Sequence, residues 1–105
     1  MKHATSLLEF DQILDQSGMK PVIVDFYATW CGPCKMIAPM FESLEKKYDS
    51  SITFVKVDVD EAEDIAVKYR VSSLPTFMVF WDKKPSKTVS GANIKVLERL
   101  VESLL

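Results

Sequence analysis

The sequence predicts one α/β domain over residues 1–105, a central mixed β-sheet flanked by helices on both faces. Apolar residues alternate along the chain between helical spacing and near-continuous β-type runs, with no linker, repeat or low-complexity tract between them. Two of the runs bracket a helical stretch, which makes a βαβ unit with a right-handed crossover and hence a parallel pair. Two later runs are joined by a short polar turn, which makes an antiparallel hairpin. Parallel and antiparallel strands in one short chain require a mixed sheet. With 48% hydrophobic residues, 105 residues can bury one ordinary core.

The elements follow in order. Ser6-Leu7-Leu8-Glu9 has capping-box spacing, and Leu7, Phe10 and Leu14 recur at helical intervals up to Gly18, where the first helix should stop. Pro21 to Tyr27 is nearly all β-type, as expected of a strand covered on both faces. A second helix should start at Cys31-Gly32-Pro33-Cys34 and reach about Asp49, with Ile37, Phe41, Leu44 and Tyr48 inward. Pro39 lies within it and should bend it. Ile52 to Asp58 forms the next strand, and Asp60 is placed to cap a third helix reaching about Tyr69. Thr76 to Trp81 and Lys87 to Ser90 are the hairpin strands. Their turn, Asp82-Lys83-Lys84-Pro85, contains no glycine, so a different turn type is expected there. Asn93 can cap a closing helix with Leu97, Leu100, Val101 and Leu104 as its stripe.

Composition excludes several functions. A net charge of −2 argues against nucleic acid as a partner. No apolar run approaches a membrane span, and Met1–Phe10 shows no export-signal pattern. Asp58-Val59-Asp60-Glu61-Ala62-Glu63-Asp64 invites a calcium reading. An EF-hand loop starting at Asp58 would need glycine where Glu63 stands and glutamate where Tyr69 stands, so the pattern fails. These acids suit a helix N-terminus instead.

The only cysteines are Cys31 and Cys34. Zinc would need four ligands, and beyond these two the chain offers a lone His3, so no metal site is expected. A loop this short contributes little as a structural staple, which favours redox chemistry. The thiolate is the attacking species, and an unperturbed thiol with a pKa of about 8.5 is only about 3% ionised at pH 7. A helix N-terminus favours the anion through its unpaired N–H groups and macrodipole. Ionising about half of such a thiol at pH 7 takes a differential stabilisation of about 2 kcal/mol. Cys34, one turn further in, should be less exposed and act as the resolving thiol. Gly32 permits close approach of a partner backbone, and Pro33 is pre-organised for the first helical turn. Asp25 stands in an apolar strand run, where it is either a buried acid with a raised pKa or a residue on a solvated edge face.

Asp25-Phe26-Tyr27-Ala28-Thr29-Trp30-Cys31-Gly32-Pro33-Cys34-Lys35 resembles the active-site segment of the thioredoxin family. Chain length, element order, Leu74-Pro75-Thr76 and Ser90-Gly91-Ala92-Asn93 also match, so the resemblance covers nearly the whole chain. Thr29 to Pro39 and Ser90 to Asn93 are most similar to eukaryotic cytosolic members. The resemblance implies the thioredoxin fold and a cytoplasmic, monomeric protein-disulfide reductase with no bound cofactor. It implies electrons drawn indirectly from NADPH through thioredoxin reductase, and clients such as peroxiredoxins, ribonucleotide reductase and methionine sulfoxide reductase. Cys31 is then the attacking thiol, Cys34 the resolving one, and Asp25 the buried carboxylate that takes the Cys34 proton.

Trp30, Gly32, Pro33, Leu74, Pro75, Gly91 and Ala92 would form the docking surface, with Lys56 and Lys35 in support. Read without the family, Pro75 could equally be a strand-start proline, Lys56 an exposed strand lysine and Gly91 a simple turn. With the family, Pro75 is the cis proline facing the sulfurs. Gly32-Pro33 argues against an oxidising relative, which usually carries histidine between the cysteines. Tyr27 stands where many bacterial members have tryptophan, a change expected to alter packing around Asp25 without removing its chemistry.

Overall fold

A computed structural model describes the chain from Met1 to Leu105. In chain order its elements are β1 (Lys2–His3), α1 (Leu7–Ser17), β2 (Val22–Tyr27), α2 (Gly32–Tyr48), β3 (Thr53–Asp58), α3 (Glu63–Lys68), β4 (Thr76–Trp81), β5 (Lys84–Ser90) and α4 (Ile94–Glu102). They build one five-stranded sheet of order β1-β3-β2-β4-β5. β1 and β2 run parallel to β3, whereas β4 runs antiparallel to both β2 and β5, so the sheet is mixed as expected.

Strand alternation divides the core in two. Val22, Val24 and Phe26 of β2, with Val55, Val57, Met78 and Phe80, face α1 and α3. Ile23 of β2, with Phe54, Phe77 and Val79, faces α2 and α4. Phe41 of α2 packs on Phe54 and Phe77 at 5.3 and 5.6 Å between ring centroids, which seats α2 on that face. The same parity puts Asp25 on the α2 side of the central strand. In register it lies between Lys56 of β3 and Phe77 of β4.

The helix ends follow their local chemistry. Ser6 Oγ accepts from the Glu9 N–H, and Asn93 Oδ1 accepts from the Val96 N–H, as the capping patterns predict. α2 continues without interruption through Pro39.

Four expectations need correction. The two-residue strand β1 was not foreseen, because two residues carry no periodicity. The third helix begins at Glu63 rather than at an Asp60 cap. Residues 58–62 instead close a turn in which the Asp58 carbonyl accepts from the Glu61 and Ala62 N–H groups, and the Asp58 side chain accepts from the Asp60 N–H. Asp60 therefore lies before the helix, with its carboxylate free for another partner. β5 starts at Lys84, three residues earlier than expected, with Pro85 tolerated because the strand is at the sheet edge. Its turn is the tight two-residue kind after all: Asp82 and Lys83 both take positive φ (50° and 67°), the geometry usually given to glycine or asparagine.

Candidate active site

The site lies where β2 ends and α2 begins. β2 delivers the chain to Trp30, and Cys31 is the N-cap of α2, in extended conformation (φ −85°, ψ 110°). Its Sγ accepts from the Cys34 N–H at 3.2 Å, so one of the helix's unpaired donors points at this sulfur. Pro33 lies in the first turn, where a missing N–H is no loss. Cys31 and Cys34 form a disulfide with Cα atoms 5.3 Å apart. Both are buried, Cys34 slightly more than Cys31.

The two cysteines open onto different spaces. Cys31 lines a groove of about 490 Å³ together with Trp30, Gly32, Pro33, Val59, Val71, Ser72 and Leu74. Cys34 lines a separate cavity of about 240 Å³ with Tyr27, Lys35 and Lys56 among its walls. The groove is mostly apolar and open. The rear cavity is mostly apolar too, with Tyr27, Lys35 and Lys56 the residues along it that bear titratable groups.

Trp30 is 70% exposed, yet its indole is fixed: Nε1–H donates to Asp60 Oδ2 at 2.8 Å. The Leu74–Pro75 peptide bond is cis, as the resemblance implies. Neither backbone group of Leu74 has a backbone partner within the chain, while Gly91 N–H donates to the Pro75 carbonyl at 2.9 Å. Gly91 has φ 98°, and a Cβ built on Gly91 or Gly32 would meet open space. A side chain on Gly32 would therefore intrude on an approaching partner rather than on the fold, whereas at Gly91 the positive φ would strain any other residue. Pro75 is buried and Ala92 half-buried against the α2–α4 core. Of the docking residues named from the sequence, Trp30, Gly32, Pro33 and Leu74 line the groove itself; Pro75, Gly91 and Ala92 do not.

Asp25 is 1% exposed, and its Oδ1 has no hydrogen-bond partner, which settles the buried alternative. Burial pushes its carboxyl up to about 7, and the positive charge of Lys56 offsets part of that rise. Lys56 is its neighbour across the parallel pair but makes no ion pair with it within 4.0 Å. The Lys56 Nζ instead stands over the Tyr27 ring, 4.5 Å from the centroid. Burial also raises the Tyr27 phenol, with Asp58, Glu61 and Asp25 adding in the same direction.

Sequence reasoning missed four participants. Val59, Val71 and Ser72 line the groove, and Asp60 holds Trp30. Val71 and Ser72 closely precede Leu74-Pro75, and that proximity was the one signal available. Asp60 carried a misleading one, since an acid ahead of a helical stretch reads as a cap. No group of three or more His, Cys, Asp or Glu side chains is placed to hold a metal ion.

A dithiol–disulfide pair at a helix N-terminus, beside an open groove and a buried acid, defines a thiol–disulfide oxidoreductase. The thioredoxin family model matches residues 2–103. The chain is 47% identical over 107 aligned residues to thioredoxin of Pongo abelii, covering 100% of this chain and 99% of that protein. It is similar to the solved structure of Plasmodium falciparum thioredoxin, with 44% identity, TM-score 0.93 and complete coverage of both chains. A third relative comes from a structure on the thiol-resolving mechanism of a yeast mitochondrial 1-Cys peroxiredoxin via glutathione/thioredoxin systems. It is 38% identical with TM-score 0.89, covering 99% of this chain and 95% of that one. The chain belongs to the thioredoxin family.

Proposed function

We propose that this chain is a general protein-disulfide reductase in which Cys31 attacks, Cys34 resolves and Asp25 handles the proton. A client disulfide docks along the groove at Trp30, Gly32, Pro33 and Leu74, with Pro75, Gly91 and Ala92 bordering it. The Cys31 thiolate attacks one client sulfur, and the other leaves as a thiol after gaining a proton. Cys34 then gives its proton to the Asp25 carboxylate and attacks the Cys31 Sγ. The second client sulfur leaves as a thiolate and takes a proton from water, and two electrons have passed from the pair to the client. Lys35 and Lys56 support the anionic states from the rear cavity.

The observation that carries this reading is the split between the two sulfurs. Cys31 lines the groove that holds Trp30 and Leu74, and Cys34 lines a second, separate space whose residues include Tyr27, Lys35 and Lys56. The cycle needs no bound cofactor. NADPH-dependent thioredoxin reductase restores the dithiol, and the protein acts as a cytoplasmic monomer. Peroxiredoxins are the first client class to try, supported by the peroxiredoxin context of one solved relative. Ribonucleotide reductase and methionine sulfoxide reductase follow from the resemblance. The net charge of −2 supports leaving nucleic acid out, and no membrane partner is assigned.

The test is NADPH oxidation with a thioredoxin reductase and insulin disulfides. Wild type turns over, while Cys34→Ser gives none and accumulates mixed disulfides. A folded wild-type protein with two free thiols that fails to turn over would shift the assignment to glutathione-linked, oxidising or non-catalytic binding roles.

A further inference from the structure

Tyr27 is the last residue of β2, two positions beyond Asp25 on the same side of the sheet. Lys56 lies opposite Asp25, and its ammonium has no hydrogen bond and no ion pair in the molecule; the Tyr27 ring is its one polar partner. Tyr27 and Lys56 are both lining residues of the rear cavity that also reaches Cys34. We propose that Tyr27 is a positioning residue for proton transfer at Asp25: its ring holds the Lys56 ammonium beside the carboxylate, near enough to favour the anion and too far to lock it in an ion pair.

A lysine not held by the ring has two fates, pairing with the carboxylate or turning out to water. An ammonium is strongly hydrated, and pairing with a buried carboxylate would desolvate both charges. Without the ring, Lys56 relaxes outward to water, where its charge is screened. With the ring, a cation–π contact offsets part of the lost hydration. The titratable and charged groups facing this space are Lys56 and Asp58 from β3, Cys34 and Lys35 from α2, and Glu61 from the turn before α3. Asp58 and Glu61 are anions that Tyr27 faces as well, so an outward Lys56 also finds favourable charge there. Phe77, the β4 partner of Asp25, brings none.

This inference rests on Asp25 as proton acceptor, and the test separates the two. The Asp25 carboxyl titration is followed by carbon-13 NMR in wild type, Tyr27→Phe, Tyr27→Leu and Lys56→Met, and in Tyr27→Leu combined with Lys56→Met. Tyr27→Phe keeps the ring and the wild-type midpoint. Tyr27→Leu raises the midpoint by about half a pH unit or more, and the change disappears in the Lys56→Met background. Tyr27→Ser gives the same readout should the leucine variant not fold. The pH profile of mixed-disulfide resolution moves by the same amount. A midpoint that falls, stays, or rises equally without Lys56 overturns the positioning role while leaving the reductase reading intact. A moved titration with an unmoved resolution profile overturns Asp25 as the proton acceptor, and this inference with it.

Discussion

The two faces of the central sheet are closed by nearly equal amounts of apolar side chain, 13 buried residues toward α1 and α3 and 12 toward α2 and α4. They differ in buried charge. The α1–α3 face buries no charged group, only Thr53 and Thr76 among its apolar side chains, and is knitted by Phe10, Tyr69 and Phe80, whose rings meet edge-on at 5.1–5.8 Å. The α2–α4 face includes Asp25, an acid with one carboxyl oxygen that has no partner. Equal packing thus supports unequal duties: one face contributes stability, and the other gives some up to keep a titratable group beneath the disulfide helix.

Substitutions on the two faces should move stability in opposite directions. Phe80→Ala on the apolar face is expected to lose about 3–5 kcal/mol in urea unfolding, because a fully buried ring leaves a cavity. Disulfide exchange per folded molecule should not change. Asp25→Asn on the other face is expected to gain up to roughly 4 kcal/mol above pH 7, while resolution of the mixed disulfide slows. A loss of stability in that variant would mean the acid is not held against its preference.

Smaller effects sharpen the same division. Asp60→Ala frees the indole of Trp30 without opening the core. Client kcat/KM should fall severalfold with little change in unfolding midpoint, because the side chain proposed to dock the client loses its restraint. Asp15→Asn removes the exposed ion pair with Lys83, at the hairpin turn. Neither the thermal midpoint nor turnover should change measurably.

How far the fold could be read from the chain depended on how many residues voted for each element. α1, α2 and α4 carry repeated apolar positions and capping residues, and β2, β3 and β4 are dense in β-type side chains. All six were legible to within a residue or two at the ends. β1 has two residues, and β5 is almost wholly exposed, so neither displays the pattern that burial imposes. The left-handed Asp82 and Lys83 were illegible for a different reason. The hairpin's tight closure forces that backbone on residues that do not advertise it.

Within the site, Cys31 and Cys34 were legible from chemistry alone, since two thiols at this spacing have few other uses. Asp25 was only half legible. Its place in an apolar run marked it as anomalous, but which face it took depended on the packing of α2. Trp30 and Asp60 meet across 30 positions of sequence, and the Lys56–Tyr27 contact crosses from one strand to the next. Contacts of that kind arise only when the sheet is assembled.

The most direct test of the central claim is the pH dependence of the stability difference between Asp25→Asn and the wild type, both oxidised, from pH 4 to 9. A carboxyl whose midpoint rises from about 4 unfolded to about 7 folded binds more protons in the native state between those limits. The wild type therefore loses stability relative to the asparagine variant as pH rises through that window. The account predicts a gap that is small near pH 4, widens to about pH 7 and is flat above it. A gap that stays constant from pH 4 to 9, or that narrows as pH rises, would contradict a buried acid held ready to take a proton.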